Sequence, residues 1–184
     1  MSANDSLQVG AGAGWSLDEL RRGLALERLG AKFHYFPELD STNTYARQLA
    51  EAGAREGEIV IAEAQTQGRG RLGRRWQSPP FTNLYFSVIL RPQFPPAQAP
   101  QITLTAAVAL AETVASFIAQ PATITWPNDI LVGDKKLAGI LSKTSCDAER
   151  LHYVILGIGA NLNYAIDLMP EEIRERATSI AHLT

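Results

Sequence analysis

EIVIAEAQTQGRGRLGRRW, residues 58–76, runs from an alternating, β-branched stretch directly into a loop of glycines and arginines. The first half reads as a strand. The second half sets Arg69, Arg71, Arg74 and Arg75 among Gly68, Gly70 and Gly73. Glycine lets a backbone open and approach a ligand closely. Arginine supplies permanently charged, planar donors suited to carboxylate and phosphate oxygens. A loop of this composition can move and fold over an anion. Read alone, it fits equally a solvated basic surface or a nucleic-acid contact.

Upstream of that stretch, Asp40-Ser41-Thr42-Asn43 is a dense helix-start signal. The following TYARQLAEAG puts Tyr45, Ala46, Leu49 and Ala50 on one face, with Gly53 as a C-terminal stop. Before it, KFHYFPELD predicts a strand stopped by Pro37. Residues 1–14 read as a flexible leader, and Ser16 with Glu19 forms a capping-box pattern that starts a short helix ending near Gly30.

Downstream, Pro79-Pro80 breaks the chain and NLYFSVIL alternates as a strand. QITLTAAVALAETVASFIAQ is apolar around most of its circumference and predicts a largely buried helix. ATITW, ILVGDKKLAGILSKTS and RLHYVILGIGANLN read as strands joined by tight turns, with Gly133-Asp134 a hairpin signal. A short helix is expected to begin near Pro170. Few helices and hairpin-grouped strands after one βαβ-like passage predict an α+β domain, a mixed β-sheet with helices packed on one face. No G-x-G-x-x-G opens a helix after a strand, which argues against a doubly wound nucleotide fold.

The 184 residues suit one domain, and 46% hydrophobic with 20% charged residues is ordinary for a soluble globular chain. A net charge of −2 makes the arginine loop a local feature, and speaks against nucleic acid as the general partner. One cysteine, Cys146, excludes an internal disulfide framework and a cysteine-rich metal site. His34, His152 and His182 show no metal-ligand spacing. No signal peptide and no membrane-length apolar run are present, so a cytoplasmic protein is expected.

Four segments carry the chemistry: DSTN at 40–43, QTQGRGRLGRRW at 65–76, WPNDILVGDKKLAGIL at 126–141 and GIGANLN at 157–163. Singly they have plain readings: a helix cap, a basic loop, a strand-ending turn, a strand admitting a close backbone. Together and in this order they resemble the catalytic domain of biotin–protein ligases, a class II synthetase-like fold, over roughly residues 33–165. The GRGRxGRxW pattern and the WPND…KLAGIL pair carry the resemblance.

The resemblance implies activation of biotin with ATP to biotinyl-5′-AMP. Transfer to a lysine of a biotin carboxyl carrier protein or domain follows, with Mg²⁺ accompanying ATP. It implies that Ser41, Thr42 and Asn43 lie beside the biotin rings, with Gln65 and Gly68 in the same pocket and Gly139 and Gly157 as backbone positions against biotin. Arg69, Arg71 and Lys136 are implied at the carboxylate and α-phosphate. Asn128, Asn161 and Trp76 fall around the nucleotide. Asp129 is implied on the magnesium side, as a metal ligand or in positioning or deprotonating the acceptor amine. Lys136 is preferred to Lys135 because it immediately precedes LAGIL and alternation sends its neighbour to the opposite face.

Many members of that family carry an N-terminal winged helix and a C-terminal SH3-like domain. Neither is expected within this sequence, so DNA binding is not expected of it. The expected organisation is a leader and short helix over 1–31 and a catalytic domain over 32–184. A homodimer through a sheet edge is an open expectation. The rivals are a lipoyl or octanoyl ligase or transferase of the same fold, and a non-catalytic biotin-binding module. An intact Lys136 with Arg69 and Arg71 argues against the latter.

Overall fold

The computed structural model describes residues 32–184 together with Arg22, Leu29 and Gly30. The leader and the first helix expected over 1–31 otherwise lie outside the described residues. Seven strands form one sheet: β1 (Phe33–Leu39), β2 (Ile59–Gln65), β3 (Asn83–Leu90), β4 (Ala122–Thr125), β5 (Asp129–Val132), β6 (Lys135–Cys146) and β7 (Leu151–Asn161). Their spatial order is β1-β2-β3-β7-β6-β5-β4. Only β1 and β2 run parallel; every other neighbouring pair is antiparallel. A parallel pair needs a crossover, and α1 (Thr42–Glu51) supplies it. The mixed sheet and the α+β class stand as expected.

The helices do not share one face. Ala46 and Ala50 of α1 pack on Val60, Ile89 and Ile155. Ala107 of α2 (Ala99–Ala115) packs on Ile130, Ala138, Ile140, Leu156 and Ala160. Ile155 and Leu156 are consecutive in β7, and consecutive strand residues point to opposite faces. The reason lies in the strands: β2 and β7 are apolar at nearly every position, not alternately, so both faces need cover. Full burial of each such Ile or Val stabilises by roughly 1.5–3 kcal/mol.

Two further expectations differ from the structure. β1 continues through Pro37 to Leu39, because β1 is the edge strand, bonded only to β2, where a missing N–H is tolerated. The apolar helix α2 is not largely buried. Only Ala107 and Val114 are, while Leu104 and Val108 are 39% and 48% exposed. It covers the sheet with one side, and among the described residues nothing covers its outer side.

The remaining signals fall where expected. Gly53 (φ 90°) ends α1, with Gly53 N–H donating to the Ala50 carbonyl. Gly133 (φ 58°) turns the β5–β6 hairpin. Helix α3 (Glu171–Arg174) follows Pro170, and α4 (Ile180–Leu183) lies close behind. No described helix is long and apolar enough to cross a membrane.

Candidate active site

A cleft of about 780 Å³ opens on the face of the sheet that carries α1. Gly157 and Leu141, in register on β7 and β6, lie in its floor, and the buried Ser87 of β3 is in register beside Gly157. Gly159 and Gly139 form the next row. The glycines matter for what lies on them. A Cβ at Gly157 would sit 2.3 Å from the Asn43 side chain, and one at Gly159 would sit 2.7 Å from the Trp76 indole. A Cβ at Gly139 would be 3.2 Å from the Lys136 side chain.

One end of the cleft is a hydrogen-bonded polar cluster. The Gln65 amide is held both ways: Oε1 accepts from Thr42 N–H at 2.9 Å, and Nε2 donates to Ser78 Oγ at 3.0 Å. Ser87 Oγ lies 2.8 Å from both Thr42 Oγ1 and Asn43 Oδ1. Asn43 Nδ2 donates to the Leu141 carbonyl at 3.1 Å. Ser41 is the N-cap residue of α1, yet its side chain makes no capping hydrogen bond. Although buried, it lines the cleft.

The other end is charged. Lys136 Nζ is 2.7 Å from Asp129 Oδ2 and 5.3 Å from the centroid of the Trp76 ring. Arg71 donates to Asn128 Oδ1 at 3.1 Å, and Asn128 Nδ2 donates to the Ile140 carbonyl at 2.8 Å. Arg69, Arg71, Arg74, Arg75, Lys136 and Arg176 all line the cleft, against the carboxylates of Asp129 and Asp134 alone. Among the described residues Arg69, Arg74 and Arg75 make no ion pair. Two buried polar atoms here also lack partners, Trp76 Nε1 and Asp129 Oδ1. A cleft so charged attracts anions.

The arginine loop is a closed hairpin. Gln65 N–H donates to the Ser78 carbonyl, Trp76 N–H to Gly68, and Gly70 N–H to Arg74, at 3.3, 2.9 and 2.7 Å. The Tyr85 hydroxyl holds the base by donating to the Pro79 carbonyl at 3.1 Å. Burial pushes the Tyr85 phenol up to about 12, so it stays a donor throughout the ordinary pH range. Leu72, at the tip, adopts φ 55° and ψ 34° and is 89% exposed.

Every site residue expected from the sequence lines this cleft except Gly68, and the rejected Lys135 does not line it. Gly68 sits at the hairpin base, where a Cβ would lie 2.4 Å from the Trp76 carbonyl and 2.7 Å from Ser78 Oγ. Asn161 is at the wall, but its amide is committed: Nδ2 donates to the Thr178 carbonyl at 3.0 Å and Oδ1 accepts from Asn83 at 3.3 Å. Lys136 reaches the cleft for a reason other than simple alternation. Ile130 pairs with Ala138 but Leu131 pairs with Lys136, so Leu137 is an extra residue, a β-bulge. Without it, Lys136 and Gly139 would point to opposite faces. Ser78 and Ser87 were not foreseen. Ser87 did carry a signal, as the one small polar residue in the interior of the apolar strand NLYFSVIL.

Fold and cleft define an α+β domain with a cleft that is polar at one end and cationic at the other. The chain belongs to the biotin/lipoate A/B protein ligase family, whose model matches residues 35–161. It is 40% identical over 166 residues to the bifunctional ligase/repressor BirA of Bacillus spizizenii, covering 90% of this chain and 51% of that protein. It is 35% identical to the biotin–[acetyl-CoA-carboxylase] ligase of Mycobacterium tuberculosis, covering 99% of this chain and 61% of that protein. The biotin protein ligase of Aquifex aeolicus, solved with biotin and ATP, superposes with a TM-score of 0.70 at 35% identity, over 84% of this chain and 61% of that one. The chain thus spans between half and two thirds of these relatives. Its fold is that of the biotin–protein ligase catalytic domain.

Proposed function

We propose that this chain joins biotin to ATP, forming biotinyl-5′-AMP and pyrophosphate, and then passes biotin to a lysine of a biotin carboxyl carrier protein. The observation that carries the proposal is the two-ended cleft. A neutral donor–acceptor cluster, Ser41, Thr42, Asn43 and Gln65, lies at one end, and Arg69, Arg71 and Lys136 at the other. A ureido ring needs paired donors and acceptors, and a carboxylate approaching a phosphate needs cations.

In the first step a biotin carboxylate oxygen attacks the α-phosphorus, a P–O bond forms, and the bond to pyrophosphate breaks. Two anions are brought together, so Arg69, Arg71 and Lys136 offset their repulsion and the charge that builds on the phosphorus centre. Lys136 exchanges Asp129 for the ligand anion. In the second step a neutral lysine amine attacks the biotinyl carbonyl, a C–N bond forms, the C–O bond to AMP breaks, and the amine's proton passes to Asp129 or to water. Asp129, released from Lys136, orients that amine. Trp76, Asn128 and Asn161 shape the nucleotide side. The arginine hairpin limits water at a hydrolytically labile anhydride.

No cluster of three potential metal ligands occurs among the described residues. Mg²⁺ binds through one or two carboxylates plus substrate phosphates and keeps several waters. Asp129, with its unpartnered Oδ1, fits an ion arriving with the nucleotide. There it would draw charge from the phosphates.

A homodimer through a sheet edge remains part of the proposal. β6 runs to Cys146, but its pairing with β5 ends at Gly139, so among the strands its far half pairs only with β7. Light scattering tests this. DNA binding is not proposed, because the reading rests on residues 35–161 and their cleft.

The decisive experiment is pyrophosphate release from ATP and magnesium with biotin, repeated with lipoate and with octanoate, beside Arg69→Ala. Biotin-dependent release that collapses in the variant is expected. Release driven by lipoate or octanoate in place of biotin would move the chain to the other branch of its family. Calorimetric biotin binding without release would leave a binding module.

A further inference from the structure

We propose that residues 176–178 are a positioning strap for Lys136. β7 leaves the sheet after Asn161, and β6–β7 pairing begins only at Ala138↔Ala160. Lys136, two residues beyond, therefore has no β7 partner. The vacated place is taken by residues 176–178, which form a parallel bridge between Lys136 and Ala177. Lys136 N–H donates to the Arg176 carbonyl at 2.8 Å, and Thr178 N–H donates to the Lys136 carbonyl at 2.9 Å. The same strap receives Asn161 Nδ2 on its Thr178 carbonyl at 3.0 Å. One three-residue segment thus grips two cleft residues that come from different strands.

The grip falls beside the bulge, which is what turns Lys136 into the cleft. Lys136 lies in register with Leu131 of β5 on one side, and both its backbone groups are hydrogen-bonded to the strap on the other. Remove the strap and its outer backbone groups lose their partners. The bulge can then relax into the regular alternation that would turn the lysine to the opposite face. The strap is also held at a cost. Thr178 and Ser179 are both 1% exposed, and their hydroxyls have no partner. Buried unpaired groups are destabilising, so this stretch is not optimised for stability alone. Ala177, packed with Tyr164 and Met169, anchors it from behind.

The strap acts through Lys136 and is not itself catalytic. Its geometric claim is independent of the ligase reading; its effect on turnover rests on that reading. Two variants open the bridge at its bond from residue 178 to Lys136: Thr178→Pro, which removes the N–H, and an amide-to-ester replacement at 178, which removes only that donor and covers failure of the proline variant to fold. The first readout needs no activity. After reductive ¹³C-methylation, the Lys136 signal, assigned by its loss in Lys136→Arg, should be displaced by the Trp76 ring current. It should move to the position of exposed lysines when the bridge is broken. An unmoved Lys136 signal in the folded ester variant overturns the proposal.

The second readout is a double-mutant cycle on biotin-dependent pyrophosphate release. Breaking the bridge should lower kcat by about tenfold or more, with KM for biotin little changed, and should cost nothing further in Lys136→Ala. Equal losses in both backgrounds would show a general structural effect and overturn it. If the unmodified chain releases no pyrophosphate, the ligase reading fails, while the lysine signal still decides on the strap.

Discussion

Gly157 shows how little space one position leaves. Its missing side chain is the room in which Asn43 reaches Leu141 and Ser87. Gly157→Ala is expected to push Asn43 aside and weaken biotin binding about tenfold or more, roughly the loss of one good interaction, as read by calorimetry. Unchanged affinity would remove Asn43 from the binding cluster. Lys136 lies at the other end. Lys136→Ala should cut the rate of pyrophosphate release about a hundredfold or more, the scale of losing one donor aimed at developing charge, with a smaller change in biotin affinity. A rate within about twofold of the parent would show that the arginines suffice. Residue identity at both positions was legible in the sequence. The partners were not, because Asn43 and Leu141 lie 98 residues apart and Ser87 gave only the faint signal of a hydroxyl in an apolar strand.

Among the elements, the arginine hairpin departs most from a flexible loop. Three backbone hydrogen bonds close it, and Leu72 holds a left-handed conformation at its tip. Such a conformation costs a branched residue about 1–2 kcal/mol, and asparagine tolerates it. Leu72→Asn should therefore raise the thermal midpoint by about 2–4 °C, with Leu72 too exposed to lose packing. A lowered midpoint would mean the leucine makes a contact not seen here. The bulge in β6 is a second case. A period-two reading of KKLAGIL assigns faces correctly from Ala138 onward but fails across the extra residue Leu137, and no local signal marks it. It is imposed from outside, by β5 on one side and residues 176–178 on the other.

At the level of the whole molecule, β1 is an edge strand, and a side-chain pair helps bind it to the body of the sheet. His34 Nε2 is 2.8 Å from Glu58 Oε2, and Glu58 Oε1 accepts from Arg55 N–H at 2.8 Å. Burial pushes the Glu58 carboxyl up, but His34, the Arg55 N–H and Lys32 together outweigh it and hold it below its ordinary 4.5. A carboxyl depressed by folding stabilises above its unfolded value and loses that contribution as pH falls through its folded one. Glu58→Gln should thus be less stable than the parent at about pH 5.5, with the gap closing by about pH 3, in urea titrations. A gap that persists undiminished in acid would assign the effect to packing.

The local signals in the chain were sufficient for the order of strands and turns, the start of α1, the α+β class and the motifs that meet in the cleft. These depend on capping, periodicity and glycine placement, which act over a few residues. The tertiary structure decided how the helices divide between the two faces, how exposed α2 remains, and that β1 passes through Pro37. It also decided that Lys136 turns inward at a bulge held by residues 176–178. Each of these depends on which neighbour lies across the sheet, and a sheet pairs residues distant in sequence through hydrogen bonds and contacts that no local pattern encodes.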